Sequence, residues 1–67
     1  MVRELVQVFV IQCVTTGEFL TSDLDYSRSL KRAGRLFDFQ EAVETAHDNL
    51  DYDFEISSFH EFKKQPH

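Results

Sequence analysis

The chain has 67 residues, with 12 acidic side chains against 7 lysines and arginines and a formal net charge of −5 at pH 7. A chain of this length forms one domain with a small core, and its longest apolar run, residues 8–11, is far shorter than the about 20 residues that span a bilayer. With one cysteine, no zinc-type spacing of histidines and no signal-peptide segment after Arg3, we expect a cytoplasmic protein that binds no membrane, metal or cofactor.

The first predicted strand covers residues 5–14, which are rich in β-branched side chains and contain neither glycine nor proline. Both of its faces are apolar, and a strand of this kind is usually central and covered on both sides. One face carries Leu5, Phe9, Ile11 and Cys13, and the other carries Val6, Val8, Val10 and Val14. A turn at Gly17 and a short second strand at residues 18–21 complete a β-hairpin.

The strongest helical pattern follows a loop at residues 22–29 and a predicted single turn at residues 29–33. Its apolar residues recur at spacings of three, four and seven and are Phe39, Ala42, Val43, Ala46 and Leu50. This stripe predicts a helix from Phe39 to Asn49 or Leu50. Asp38 is placed to cap the helix, with Glu41 completing a capping box.

The third strand is predicted over residues 52–62. Tyr52, Phe54 and Ile56 alternate with polar residues, which is the pattern of a half-buried strand. The apolar residues change parity after the serines at positions 57 and 58, so we expect a bulge or a strand end there.

The resulting order is β-β-α-β, an α+β fold. We predict a three-stranded antiparallel sheet in the order 2-1-3, with one helix packed on one face. Residues 1–62 form this single domain, and residues 63–67 form a flexible C-terminal tail.

One helix covers only one face of such a sheet, so one of the two apolar rows of the first strand needs other cover. Contiguous exposed apolar patches usually mark interfaces, and Val6, Val8 and Val10 are the candidate dimer face. Three explanations stay open: a homodimer, a foreign partner, or cover by the loop at residues 22–37, which contains Leu24, Tyr26, Leu30 and Leu36.

Negative charge is concentrated in the C-terminal part of the chain. Residues 38–67 carry two lysines and eight acids (2 − 8 = −6), and residues 1–37 carry five cations and four acids (5 − 4 = +1). The acids on the predicted helix and third strand are Glu41, Glu44, Asp48, Asp51, Asp53 and Glu55. Their helical spacing of roughly 4.5–6 Å is similar to that of phosphates along a nucleic-acid strand. This pattern indicates a surface that imitates the phosphate row of DNA and binds a basic partner. The alternative is that it is only the solvated face of an amphipathic helix.

A basic cluster precedes the helix and consists of Arg28, Lys31, Arg32 and Arg35. Its spacings of three, four and seven would place all four cations on one helical face, where they could contact phosphates. The net charge of −5 opposes a role in nucleic-acid binding. The alternatives are that these cations pair with the chain's own acids, that they simply solvate the loop, or that they make a local contact with a protein or nucleic-acid partner.

Residues 29–42, after the hairpin, resemble small accessory proteins of phages and prophages. The matching residues are Ala33, Arg35, Phe37, Asp38, Glu41 and Ala42. The resemblance covers most of residues 8–62. It implies that Phe37 precedes the helix as a plug, that Asp38 caps it and that Ala42 contacts the sheet. Many such proteins block or redirect a host protein, but the match carries over no functional residues.

The sequence contains no glycine-rich phosphate loop and no recognisable Ser/His/Asp arrangement, so we do not expect an enzyme. We expect a small acidic protein that binds and modulates a host protein, such as a nucleic-acid-handling one, through its acidic helix and third strand. The alternatives are a dimeric structural or assembly module that uses the open sheet face, and a small regulator that contacts nucleic acid through the basic cluster.

Overall fold

The computed structural model describes residues 4–62, so the predicted tail at residues 63–67 lies outside the described part of the chain. The elements are strands β1 (Leu5–Cys13), β2 (Phe19–Leu20) and β3 (Tyr26–Ser27), a 3-10 helix (Leu30–Arg32), helix α1 (Phe39–Leu50) and strand β4 (Phe54–Phe62). The four strands form one antiparallel sheet in the order β3-β2-β1-β4. Among residues 4–62, no helix has the length and apolar character needed to cross a bilayer.

The predicted α+β class, the single α-helix and the central first strand are confirmed, but the sheet has four strands instead of three. The additional strand, β3, lies in the segment predicted to be a loop and pairs with β2. A tight turn makes this pairing possible: Thr21 donates to the carbonyl of Asp25 at 2.8 Å, and Leu24 adopts a positive φ of 62°. A two-residue strand contains too few residues to show a period, so the sequence pattern could not reveal it.

The longest pairing in the sheet joins β1 to β4 without interruption. Its register runs from Leu5 opposite Phe62 to Cys13 opposite Phe54. The bulge or strand end predicted at Ser57 and Ser58 is therefore wrong.

The apolar residues of β4 change parity at the two serines because a different face of the sheet is covered on each side of them. Phe54 and Ile56 are half-buried on the side of α1, whereas Phe59 and Glu61 are half-buried on the opposite side. Adjacent strand residues point to opposite faces, so the burial pattern reverses although the strand is regular. Ser57 and Ser58, which are both exposed, mark the change.

The core on the α1 side is a cluster of Ile11, Leu20 and Ala46, against which Leu36, Leu50, Phe54 and Ile56 pack. Ala42 and Ala46 are fully buried, because their small side chains let the helix approach the sheet closely. At the start of α1, the rings of Phe9 and Phe39 meet edge to face with their centroids 5.7 Å apart.

The opposite face of β1 is covered within a single chain, in contrast to the open apolar row considered from the sequence. Val8 and Val10 are 0% and 1% exposed, and only Val6 is partly accessible. The row is therefore not an exposed dimer face, because two of its three side chains already lie in the core.

The cover for this face includes the segment between the 3-10 helix and α1. Leu36 exchanges main-chain hydrogen bonds of 2.8 and 3.0 Å with Phe9, which holds the segment beside β1. Ala33 is buried, and the Arg35 guanidinium lies 5.6 Å from the centre of the Phe59 ring, opposite Val8 in the sheet. The expected loop cover is thus present, but it involves different residues: Leu24, Tyr26 and Leu30 are exposed, and Leu36 packs on the α1 side.

Helix α1 begins and ends where the sequence predicts, but its cap differs from the expected capping box. Asp38 occupies the N-cap position, and its main-chain carbonyl accepts from Ala42 at 3.0 Å. Its side chain makes no capping hydrogen bond, so the predicted box with Glu41 is wrong. The carboxylate still lies near the positive end of the helix dipole, where a negative charge is favourable.

Gly34 lies at a close approach of two main-chain segments, which yields a first prediction. A Cβ atom at this position would lie 2.9 Å from the Ser22 nitrogen and 3.2 Å from its Cα. Main-chain atoms cannot rotate away as a flexible side chain can, so we expect Gly34→Ala to lower the free energy of unfolding by about 1–3 kcal/mol in urea titrations. Ser22→Ala, an exposed change at the same contact, should stay within about 0.5 kcal/mol of the parent. An unchanged midpoint for Gly34→Ala would contradict this close approach.

Candidate functional site

The outer face of α1 presents three carboxylates to solvent. Glu41, Glu44 and Asp48 are all exposed, and their spacings of three and four residues place them on one stripe. The helix turns its opposite side to the sheet, where Ala42 and Ala46 are buried. We refer to Glu41, Glu44 and Asp48 as the acidic face.

The acidic face makes no ion pair in the described part of the chain. Among residues 4–62, the ion pairs join Arg35 to Glu61 at 3.3 Å and His47 to Asp51 at 3.7 Å, and neither involves the acidic face. Glu44 accepts a hydrogen bond of 3.1 Å from the uncharged Gln40 side chain. The negative charge of this face is therefore not neutralised by a lysine or arginine of residues 4–62.

Asp51 lies beyond the end of α1, so it does not continue the acidic face in a regular way. Its main chain has a φ of 58°, and its N–H closes the helix on the carbonyl of His47 at 3.0 Å. Its carboxylate is 3.7 Å from His47 Nε2, and the His47 ring packs edge to face on Tyr52. Asp51 thus belongs to the local structure that terminates the helix.

Asp53 links the segment that precedes β4 to the end of β1. Its Oδ1 accepts from the Thr15 main-chain N–H at 3.1 Å, and its Oδ2 accepts from the Cys13 thiol at 3.3 Å. Hydrogen bonds from Thr15 and from Cys13 lower the pKa of the Asp53 carboxyl, because they stabilise its charged form. The sequence grouped Asp53 with the acidic surface, but the structure occupies its carboxylate with internal contacts.

Glu55 lies on the opposite side of the sheet from α1. Its neighbour Ile56 packs in the core on the α1 side, and adjacent strand residues alternate between faces. Glu55 is exposed and stands opposite Gln12 in the pairing with β1. The expected extension of the acidic helix stripe onto β4 is therefore not formed.

The basic cluster does not share one helical face. The 3-10 helix contains only Lys31 and Arg32 of the four cations, and both are exposed, as is Arg28. Arg35 is partly buried: its Nε lies 3.3 Å from Glu61, and its Nη1 donates to the carbonyls of Leu30 and Ala33 at 2.8 and 2.6 Å. Arg35 thus pairs with one of the chain's own acids, which is one of the alternatives raised by the sequence.

Sequence reasoning missed a set of exposed apolar side chains at the end of the ladder away from the helix-covered core. Leu5 and Phe62 stand opposite each other, and both are more than half exposed, as is Phe37. Val6, Phe37 and Phe62 line a shallow depression beside Arg35 and Lys31. The available signal was the seven phenylalanines, because a chain of this length buries only about 60% of the surface that its unfolded form exposes.

Among residues 4–62, no three histidine, cysteine, aspartate or glutamate side chains are grouped so that they could hold a metal ion. Comparison with protein-family models, with curated proteins and with solved structures finds no match to this chain. The surface features that remain as candidates for a function are the acidic face and the edges of the sheet.

Asp53 yields a prediction on pH dependence. Its folded-state pKa lies below the ordinary value of 3.8, so the charged carboxylate stabilises the folded state above about pH 4, and this contribution is lost as the pH falls through the folded-state pKa. We expect Asp53→Asn to be less stable than the parent at pH 7 and to lose less stability between about pH 4 and pH 2. Urea unfolding over this range measures both effects.

The matched control is Asp23→Asn, an exposed change for which the described residues show no side-chain hydrogen bond. It should leave the dependence of stability on pH unchanged. Parallel pH profiles for the parent and Asp53→Asn would contradict the assigned hydrogen bonds.

Arg35 yields a prediction on stability. Its replacement by alanine leaves the Ala33 carbonyl without its donor, removes one of the two donors to the Leu30 carbonyl and uncovers Phe59, so we expect a loss of about 1–3 kcal/mol. Arg35→Lys retains the charge but lacks the planar group of donors, and it should lie between the parent and Arg35→Ala. Arg32→Ala, an exposed control in the same segment, should change stability by less than about 0.5 kcal/mol. Equal unfolding midpoints for Arg35→Ala and Arg32→Ala would overturn this role of Arg35.

Proposed function

We propose that this protein is a small non-enzymatic binding protein that engages a basic surface of another protein through the acidic face of α1. The observation that carries this proposal is the exposure of Glu41, Glu44 and Asp48 without a lysine or arginine partner among residues 4–62. Carboxylates presented in this way attract a cationic surface and increase the rate of encounter with it.

The scaffold beneath the acidic face supports this proposal. Ala42 and Ala46 are fully buried against the sheet, so the helix that carries the three carboxylates is held in one position. A rigid element presents charges to a partner without the entropy cost of ordering a loop. The net charge of −5 extends the attraction beyond the contact itself.

The nature of the partner is a further part of this proposal. Successive acids on the helix are separated by roughly 4.5 and 6 Å along its axis, which favours a protein whose basic surface normally binds nucleic acid. The resemblance of residues 29–42 to phage and prophage accessory proteins favours a host protein as the target and modulation or inhibition as the outcome. In that setting the protein acts in the cytoplasm of the host.

Reversal of charge on the acidic face tests the proposal. We expect Glu44→Lys/Asp48→Lys to reduce capture of the partner from host lysate at least tenfold relative to the parent, because the contact becomes repulsive. Raising the salt concentration from about 0.1 to 1 M should weaken capture by the parent, since the Debye length falls from about 10 to 3 Å. Quantitative mass spectrometry of the captured proteins provides the measurement.

The matched control is Glu4→Lys/Asp23→Lys, which changes the net charge by the same amount at exposed positions outside α1. It should capture the same proteins as the parent. Equal losses for the two double variants would indicate a nonspecific effect of net charge, and undiminished capture by Glu44→Lys/Asp48→Lys would contradict the role of the acidic face.

A further inference from the structure

The two edges of the sheet differ in length and in protection. At one edge, β3 has two residues, whereas β4 at the other edge has nine residues in unbroken register with β1. Proteins usually protect a long edge with charged side chains, lysine above all, or with proline or a bulge. Strand β4 contains no lysine, proline or bulge, and its charged side chains are Glu55 and Glu61, of which Glu61 is paired with Arg35.

The direction of the outward main-chain groups of β4 follows from the bonds that β1 makes on its other side. Phe9 bonds to Leu36, and Cys13 donates to Glu18, so these β1 residues direct their main-chain groups away from β4. In an antiparallel ladder, the β4 residues directly opposite them, Ser58 and Phe54, also direct their main-chain groups away from the other strand. The outward groups of β4 therefore belong to every second residue and include those of Ile56, Ser58 and His60.

These three residues are available for pairing. Among residues 4–62, the main-chain N–H and carbonyl groups of Ile56, Ser58 and His60 have no partner beyond β4. Ser58 and His60 are exposed, and Ile56 is partly buried, so the edge is open to an incoming strand.

We propose that β4 pairs with β4 of a second copy of this chain, antiparallel across a two-fold axis, so that two four-stranded sheets join into one. The two-fold axis places identical edges against each other, and each outward donor meets an outward acceptor of the other copy. This interface differs from the valine row, which is buried, and it does not depend on the acidic face.

The two halves of β4 are complementary across such an axis. Its first half is covered by α1, as the packing of Phe54 and Ile56 shows, whereas on the same face His60 and Phe62 are exposed. Antiparallel pairing places the covered half of one copy beside the exposed half of the other. The exposed Phe62 of one copy thereby approaches the helix-covered half of its partner, which favours a second copy as the occupant.

The in-chain partners of the acids favour one position of the axis. An axis at Ser58 would place Glu55 directly opposite Glu61 twice, and like charges directly opposite each other destabilise a strand pair. An axis at Ser57 instead places Glu55 opposite Phe59, and the acids that then face each other are Asp53 and Glu61, whose carboxylates are already held within their own chain by Thr15 and Cys13 and by Arg35. In this register Phe54 faces His60 and Ile56 faces Ser58, with about eight main-chain hydrogen bonds between the copies.

Hydrogen exchange followed by NMR tests the pairing in the intact chain. The amides of Ile56, Ser58 and His60 should exchange more slowly, by at least tenfold, as the protein concentration rises from about 10 μM to 1 mM. The amides of Ser57 and Phe59, which bond to β1, are the internal control and should be protected at all concentrations. Sedimentation should show the 7.9 kDa chain doubling its mass over the same range, without weakening at high salt.

A proline at position 58 provides the matched variant. The N–H of Ser58 points outward, so Ser58→Pro removes a donor of the proposed interface and leaves the β1–β4 ladder intact. We expect Ser58→Pro to remain a monomer with the parent's circular dichroism spectrum, and Ser58→Ala to dimerise like the parent. If Ser58→Pro fails to fold, oxidation of Ser57→Cys gives an independent test, because an axis at residue 57 brings the two cysteines within disulfide distance.

Several outcomes would overturn the proposal. One is a parent that remains a monomer at 1 mM with rapidly exchanging amides at residues 56, 58 and 60. Another is protection of these amides only when a captured partner protein is added, which would assign the edge to that partner. A Ser57→Cys variant that forms no more disulfide-linked dimer than the parent, which retains Cys13, would contradict the axis at residue 57.

Discussion

The structure depends on the continuous ladder between β1 and β4. A two-stranded ribbon is at best marginally stable in water, so each of its faces needs cover. Helix α1 supplies it on one face, where Ile11 and Ile56 meet Ala46, and the segment around Ala33 and Arg35 contributes it on the other. Because the register is unbroken, the two covers can lie at different positions along the same pair of strands and bury different residues of each.

The parts of the fold that the sequence predicts correctly are those with long periodic patterns. Helix α1 spans twelve residues and the two long strands nine each, so their hydrophobic periods are readable. Strand β3 is too short to show a period. The parity change at Ser57 and Ser58 wrongly predicts a bulge or a strand end, because a local pattern indicates which side chains are buried but not which face of the sheet is covered.

The sequence predicts the residues of the candidate site correctly only where their position on a single helix determines whether they are exposed. Glu41, Glu44 and Asp48 follow from the helical period alone. Asp53 and Arg35 could not be placed in this way, because their partners lie far away in the sequence: Asp53 bonds to Thr15, 38 residues distant, and Arg35 bonds to Glu61, 26 residues distant. Contacts between residues so far apart in the sequence depend on tertiary structure. Helix and strand propensities and hydrophobic periods describe only local structure and do not report such contacts.

The pairing of the first long strand with the last one has a consequence for folding kinetics. Strand β1 is apolar on both faces, yet its principal partner is the final element in the described chain. Strand β1 can pair with β2 and with Leu36 early, but its other edge stays open until residues 54–62 join the sheet. Non-local pairing of this kind slows folding and exposes an aggregation-prone strand in the meantime. The folding chain is therefore most vulnerable before β4 docks, when one edge of a strand that is apolar on both faces has no partner.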